Sequence, residues 1–396
     1  MNRNKTKTIC PLPWNHLATT SSGTYRLCCN SVDRENQVKE NGSGLKIYKK
    51  TFDDVRRGEF YNKIRMEMIS GIKPSVCQSC FKLEEEGVCS PREGYREQYS
   101  ETTKKIELLV AEQSNDLDDF PIQYIDLRLG NLCNLKCRMC NPWSSSSWIK
   151  EASHMFENES FQILDWPEKY ETWIDEILKH SEIDQIYLTG GEPTLIKANI
   201  RLLNMLIARG GKGIKIKINS NVVTLESELL NTLKNFDNVL FKCSIDASGE
   251  LNDYIRAPSL FNEVEASVDM LIKEDFTIEF QTTVQNYNFL DMPEWFAFCK
   301  TKGWSEPTLT ILDDPLFLDI RRIPENIAKK ASKQFKQNRQ TFGMDNNTNL
   351  IELSRLIGIS PDEKYWQEFI HYTSKLDDLR SLSNRPHFLF DGLFHV

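Results

Sequence analysis

The sequence predicts an α/β fold: a TIM-like partial (β/α)6 barrel, with a cysteine-rich module before it and a helical appendage after it. Six short apolar runs from Ile122 onward alternate with amphipathic stretches, the pattern of parallel strands joined by right-handed helical crossovers. Cysteines cluster ahead of that alternation and again at its first strand end. Beyond Pro315 the strand-like runs give way to a helical period.

Residues 1–100 carry Cys10, Cys28, Cys29, Cys77, Cys80 and Cys89. From about Glu93 to Asp119 the chain is polar and charged (ETTKK, EQSNDLDD), which reads as helix plus linker and sets the first boundary. The barrel is expected over 118–315, with strands in YIDLRL, IDQIYLTG, IKIKINS, VLFKCSID, TIEFQTTV and LTILDD; NIRLLNMLIARG and FNEVEASVDMLIK are two of the helices between them. Residues 316–396 hold IPENIAKKASKQFKQNRQTF and DEKYWQEFIHYTSKLDDLRSL, both patterned as amphipathic helices.

Composition removes several classes of function. With 396 residues, 40% hydrophobic and 27% charged, the chain can bury a large core and is not a disordered one. A net charge of −8 argues against a nucleic-acid partner held through phosphates. No apolar run reaches the roughly 18 residues that span a bilayer. The start, MNRNKTKTIC, has positive charge but no apolar stretch, so a cytoplasmic location without a membrane partner is expected. In a reducing compartment the 11 cysteines are better read as metal ligands or reactive thiols than as disulfides.

Cys133, Cys137 and Cys140 form CxxxCxxC in LRLGNLCNLKCRMC, on the loop leaving the first barrel strand, the end at which barrel active sites sit. Three thiolates so close together can hold one metal centre and leave a coordination position open for chemistry. The plainer alternative is a zinc knuckle that borrows a distant fourth ligand. LTGGEPTL, Leu188 to Leu195, ends the next strand. Gly190 and Gly191 there allow close approach of backbone to a ligand, while Glu192 read plainly is a loop carboxylate.

Placed at these strand ends, the two motifs resemble those of the radical S-adenosylmethionine (SAM) superfamily. The resemblance implies a 4Fe–4S cluster on Cys133, Cys137 and Cys140, with SAM chelating the fourth iron through its amino and carboxylate groups. It also implies reductive cleavage of SAM to methionine and a 5′-deoxyadenosyl radical that abstracts hydrogen from substrate. Met139 stands where the family has an aromatic residue near the adenine, and its soft side chain can pack there. Gly190, Gly191 and Glu192 match the GGEP contact to the SAM amino group.

INSN (Ile218 to Asn221) and SID (Ser244 to Asp246) resemble later strand-end motifs of the family, which places Asn219 and Ser244 beside SAM; barrel-mouth packing or capping is their plain reading. Arg256, in NDYIRAPS, stands where related enzymes hold the SAM carboxylate, a group that a guanidinium fork suits. Its plain reading is a surface salt bridge. TTVQNYN, Thr282 to Asn288, resembles a strand end reaching ribose or substrate.

Near the N-terminus, Cys10 in CPLPW, Cys28 five residues after Gly23 in GTYRLCC, and Cys77 and Cys80 in CQSC supply four thiolates, enough to close a site. By donor chemistry zinc suits them nearly as well as iron–sulfur. The run resembles the twitch or SPASM-type auxiliary modules of radical SAM enzymes, here ahead of the barrel. That implies a second 4Fe–4S cluster on Cys10, Cys28, Cys77 and Cys80, with Cys29 the alternative to Cys28.

The whole chain resembles a twitch-domain group that includes peptide epimerases acting on proteusin-type precursors. This implies a peptide substrate, a cellular electron donor and L-to-D epimerisation, in which a thiol returns hydrogen to the opposite face of Cα. Of the remaining cysteines, strand alternation turns Cys243 away from Ser244 and Asp246, and Cys299 reads as helix packing. Cys89 is left as the donor candidate, an inert thiol being its plain reading. Oxidative peptide crosslinking, by a thioether or carbon–carbon bond, is the alternative reaction, and a zinc-binding scaffold the non-enzyme alternative.

Overall fold

In the computed structural model, which describes residues 6–31, 37–85, 87, 89–112, 120–156 and 159–382, two compact units interleave along the chain. One comprises Met1–Leu132, Ile163–Ile218 and Ser227–Val239; the other comprises Cys133–Gln162, Asn219–Glu226 and Leu240–Val396. The expected linker at 113–119 lies outside the described residues, as do Glu86 and Val88.

The first unit holds β1 (His16–Thr19), β2 (Tyr25–Arg26), a small antiparallel pair β3 (Lys39–Glu40) and β4 (Ser43–Gly44), then β5 (Tyr124–Arg128), β6 (Gln185–Thr189) and most of β7 (Lys215–Ser220). Its strand order is β7-β6-β5-β1-β2, in which only the β1–β2 pairing is antiparallel. Branched residues at every second position explain β7, where Ile216 and Ile218 are buried between half-exposed Lys215 and Lys217.

The sequence reading did not anticipate β1. This strand belongs to the cysteine-rich segment, yet it pairs in parallel with β5, from His16 opposite Tyr124 to Ala18 opposite Asp126. Helices Glu59–Ile69, Gln78–Glu85, Pro91–Gln98 and Ser100–Glu112 follow it. The core of the module includes Trp14, Tyr25, Phe52 and Tyr61. Arg65 is fully buried there with its guanidinium near the Trp14 and Tyr61 rings, and it donates from Nε and Nη2 to the Pro13 carbonyl at 3.0 and 2.8 Å.

The second unit contains β8 (Val239–Ser244, from Leu240), β9 (Thr277–Val284) and β10 (Thr308–Ile311), parallel and in the order β10-β9-β8. Between these strands run helices Gly249–Ile255, Phe261–Lys273 and Met292–Lys302, around a core in which Phe280 stacks on Trp304 at 5.0 Å. The appendage is helical: Glu325–Thr341, Thr348–Leu356 and Glu363–Leu379, with no strand among the described residues after Ile311. All six expected strands are present as β5 to β10, each separated from the next by helix. The fold is therefore the α/β class the sequence predicted, in the order of a partial (β/α)6 barrel with a helical C-terminal region. No described helix is long and apolar enough to cross a membrane.

Candidate active site

The segment after β5 is a loop without regular structure, and such a backbone must find its hydrogen bonds elsewhere. Here they come from side chains of the second unit. Ser147 Oγ donates to the Cys133 carbonyl at 2.8 Å, Ser145 Oγ to Leu135 at 2.5 Å and Trp148 Nε1 to Cys137 at 2.9 Å. The loop's own N–H groups are held too: Lys136 donates to the Ala257 carbonyl at 2.7 Å and Arg138 to that of Ile255 at 2.8 Å. Leu135 N–H points at the Cys133 sulfur, 3.4 Å away.

The loop brings its three thiols into one another's field. Burial pushes the Cys140 thiol up, and the charges of Cys137 and Cys133 push it further. Cys137 is likewise raised by burial, while Arg256 and Arg380 pull it down and Asp246 pushes it up. Met139 is half-buried between them.

The GGEP turn explains its own glycines. Gly190 and Gly191 have φ of +84° and +54°, the left-handed region. A Cβ on Gly191 would stand 2.2 Å from the Leu132 carbonyl oxygen. Glu192 N–H donates to that same oxygen at 2.7 Å, so the turn is fastened to the residue just before Cys133. Glu192 itself is buried, and its Oε1 accepts from Thr194 N–H and Oγ1 at 3.1 and 2.8 Å, capping the turn Pro193–Leu195.

Asn219 and Ser244 are brought together, Asn219 Nδ2 donating to Ser244 Oγ at 3.2 Å. Arg256 is buried, with Nε 2.8 Å from Asp246 Oδ2, and Asp246 also accepts from Thr283 N–H at 2.9 Å. Two further polar residues belong to this group: Asn221 Nδ2 donates to Asn134 Oδ1 at 2.8 Å, tying INSN to the cysteine loop. The sequence singled out neither Asn221 nor Asn134, although INSN and the CNLKC run contained them, and used Asp246 only to set the facing of Cys243.

In the first unit the four expected auxiliary cysteines also neighbour one another. Cys77 is raised by burial and by the charges of Cys10, Cys28 and Cys80; Cys10 is raised by burial and by Cys28 and Cys80. Arg92, missed in the sequence, links two of their segments. Its Nη1 donates to the Ile9 carbonyl at 2.7 Å, and its Nε and Nη2 engage Glu84 at 2.9 and 2.6 Å. Cys29 lies beside Cys28 but turns its thiol toward Tyr95 Oη at 3.9 Å, and burial and then Asp126 push it up to about 12. Cys89 is exposed, and its thiol is raised by the burial it retains and then by the carboxylates of Glu93, Glu84 and Glu97. Cys243 and Cys299 are buried.

An α/β chain with three thiols on the anchored loop that leaves its first barrel strand has the anatomy of a barrel enzyme with an open metal centre. Residues 127–298 match the family model of the Radical SAM superfamily. It is 28% identical over 175 residues to the AdoMet-dependent heme synthase of Methanosarcina barkeri, covering 43% of this chain and 45% of that one. It is 23% identical over 219 residues to the GTP 3′,8-cyclase of Nautilia profundicola, covering 54% and 65%. The chain thus spans about half to two thirds of the length of these relatives.

Among solved structures, native anSMEcpe with bound AdoMet aligns at 19% identity and a TM-score of 0.42, covering 58% of this chain and 62% of that one. Streptococcus suis SuiB bound to precursor peptide SuiA aligns at 12% identity and 0.38, covering 71% and 64%.

The family implies SAM and a 4Fe–4S cluster, and the donors fit them. Burial raises Cys137 and Cys140, and the charges of Cys137 and Cys133 raise Cys140 further, so the set is short of positive charge, which an iron–sulfur centre supplies. Among the described residues no three His, Cys, Asp or Glu side chains stand at the spacing of a single bound ion.

Proposed function

We propose that this chain is a radical SAM enzyme that modifies a peptide, by L-to-D epimerisation of a residue in a ribosomally made precursor. The observation that carries the reading is the thiol set Cys133, Cys137 and Cys140 on a loop anchored through its backbone carbonyls. Bound there, the cluster and SAM supply a 5′-deoxyadenosyl radical that takes hydrogen from substrate. Met139 packs against the adenine, Glu192 and its turn receive the SAM amino group, Arg256 faces the carboxylate, and Asn219 with Ser244 lines the mouth.

Residues 1–100 form an auxiliary module in this reading, with Cys10, Cys28, Cys77 and Cys80 holding a second 4Fe–4S cluster. Cys28 is favoured over Cys29 because Cys28 acts on both Cys10 and Cys77, whereas the Cys29 thiol acts on Cys80 and meets Tyr95. Cys89 is the proposed hydrogen donor, an exposed thiol on the segment leaving the module. A cellular electron donor completes the system.

The test is incubation of precursor peptides encoded near the gene with reduced enzyme and SAM in deuterium oxide. A gain of one mass unit with a D-residue after hydrolysis supports epimerisation, because the returned hydrogen comes from an exchangeable thiol. Loss of two mass units replaces it with crosslinking. Full turnover by Cys89→Ala removes Cys89 as donor.

A further inference from the structure

The helical appendage does more than extend the chain, for its last described helix holds the cysteine loop. Arg138, between Cys137 and Cys140, is wholly buried and ion-paired to Asp377 on the helix Glu363–Leu379. The pair is enclosed by aromatic groups: the Arg138 guanidinium lies 3.5 Å from the Tyr254 ring centroid, its Nε donates to the Tyr254 carbonyl at 2.9 Å, and Tyr254 Oη donates to Asp377 at 3.0 Å.

One turn earlier on the same helix, Tyr372 Oη donates to the Arg138 carbonyl at 2.7 Å. At the helix end Arg380 Nη2 donates to the Lys136 carbonyl at 2.7 Å and to Glu151 at 2.9 Å, while Lys136 pairs with Glu151 as well. Two adjacent arms thus reach the loop from one helix. One arm is charge-balanced, Arg138 against Asp377. The other, Lys136 and Arg380 against Glu151, keeps a net positive charge, and Arg380 acts on Cys137.

We propose that Asp377, Tyr372 and Arg380 are positioning residues for the three-thiolate centre, fixing the loop's shape through its carbonyls and the centre's potential through the charge balance of the two arms. This rests on the radical SAM reading and extends it to residues outside the barrel.

The full-length chain, reconstituted anaerobically with iron and sulfide, is titrated redox-potentiometrically, following only the cluster EPR signal that changes when SAM is added. Asp377→Asn leaves Arg138 uncompensated, so the midpoint potential rises; Arg380→Gln removes a positive charge, so it falls, and Arg380→Lys restores it. A structural role alone does not shift potentials in opposite directions. Tyr372→Phe keeps every charge and loses one hydrogen bond to the loop, so chelator-driven iron release from the SAM-responsive centre quickens about fivefold with the potential unchanged.

If Asp377→Asn does not fold, the Arg380 pair and Tyr372→Phe decide. Folded Arg380 and Tyr372 variants with wild-type potential and iron release overturn the proposal, as do shifts of one sign in Asp377→Asn and Arg380→Gln. A wild type with no SAM-responsive signal overturns the underlying radical SAM reading instead, and the proposal with it.

Discussion

The two cysteine sets are held by different means. Cys133, Cys137 and Cys140 come from a single loop, and what fixes them is backbone: hydroxyls, an indole and two arms of a distant helix grip the carbonyls between them. Cys10, Cys28, Cys77 and Cys80 come from separate segments, and a side chain joins two of those, Arg92 bridging Ile9 to the helix Gln78–Glu85 through Glu84. The contrast teaches that a short motif needs its chain immobilised, whereas a dispersed set needs its segments tied together. The first is vulnerable at carbonyl donors and the second at its cross-tie.

The largest expected effect separates the sets outright. Replacing Cys133, Cys137 and Cys140 together with Ala abolishes SAM cleavage to 5′-deoxyadenosine, and iron falls from about eight to about four per chain if two four-iron centres are present. Zinc in place of the remaining iron breaks the comparison on the auxiliary side. Next, Arg92→Ala leaves Glu84 without its largely buried partner, costing about 3 kcal/mol. On the proposed two-cluster reading the N-terminal cysteine set loses its iron while SAM cleavage without substrate persists, as iron analysis beside 5′-deoxyadenosine assay reads out.

A smaller effect probes the glycine turn. Gly191→Ala places a Cβ against the Leu132 carbonyl at positive φ, a strain of about 1–3 kcal/mol. The KM for SAM rises about tenfold, from roughly 1.4 kcal/mol reaching the site, with auxiliary iron unchanged.

The effects of pH have opposite signs in the two units. Burial lowers His16 from 6.5 to about 3 despite its hydrogen bond to the Tyr124 carbonyl, and burial also lowers His180 to about 4. The unfolded chain then takes protons that the folded first unit refuses. That unit is fully stabilised above pH 6.5 and loses about 1.4 kcal/mol per pH unit per histidine as pH falls toward those values. In the second unit Asp291 is raised from 3.8 to about 7 by burial and then by Glu294, so its contribution is complete below pH 3.8 and lost as pH rises toward 7. Urea unfolding of His16→Gln and Asp291→Asn between pH 4 and 8 checks both signs.

Much of this architecture is legible in sequence because its signals are local. Period-2 burial marks β7, CxxxCxxC and GGEP follow strands, and the left-handed glycines of GGEP leave a visible signature. What stayed hidden depends on distance. HLAT is too short to announce β1, and only β5, more than a hundred residues later, makes it a strand. Arg92 and Asp377 look like ordinary helix-surface charges until their partners, Glu84 with Ile9 and Arg138, are known. Arg138 did carry a clue: an arginine set between two cysteines of a metal-ligand motif needs a carboxylate, but sequence does not say which one.

The pairing of β1 with β5 also governs how the chain protects itself while folding. A parallel barrel strand with an open flank offers a row of unpaired N–H and C=O groups to any other chain, a template for aggregation. β1 covers that flank of β5, and the two-residue antiparallel β2 leaves only a stub outside it. The cover closes late, since its partner is made long after it, and so long a loop is slow to find its end. Until then the N-terminal thiols belong to a module whose sheet is still incomplete.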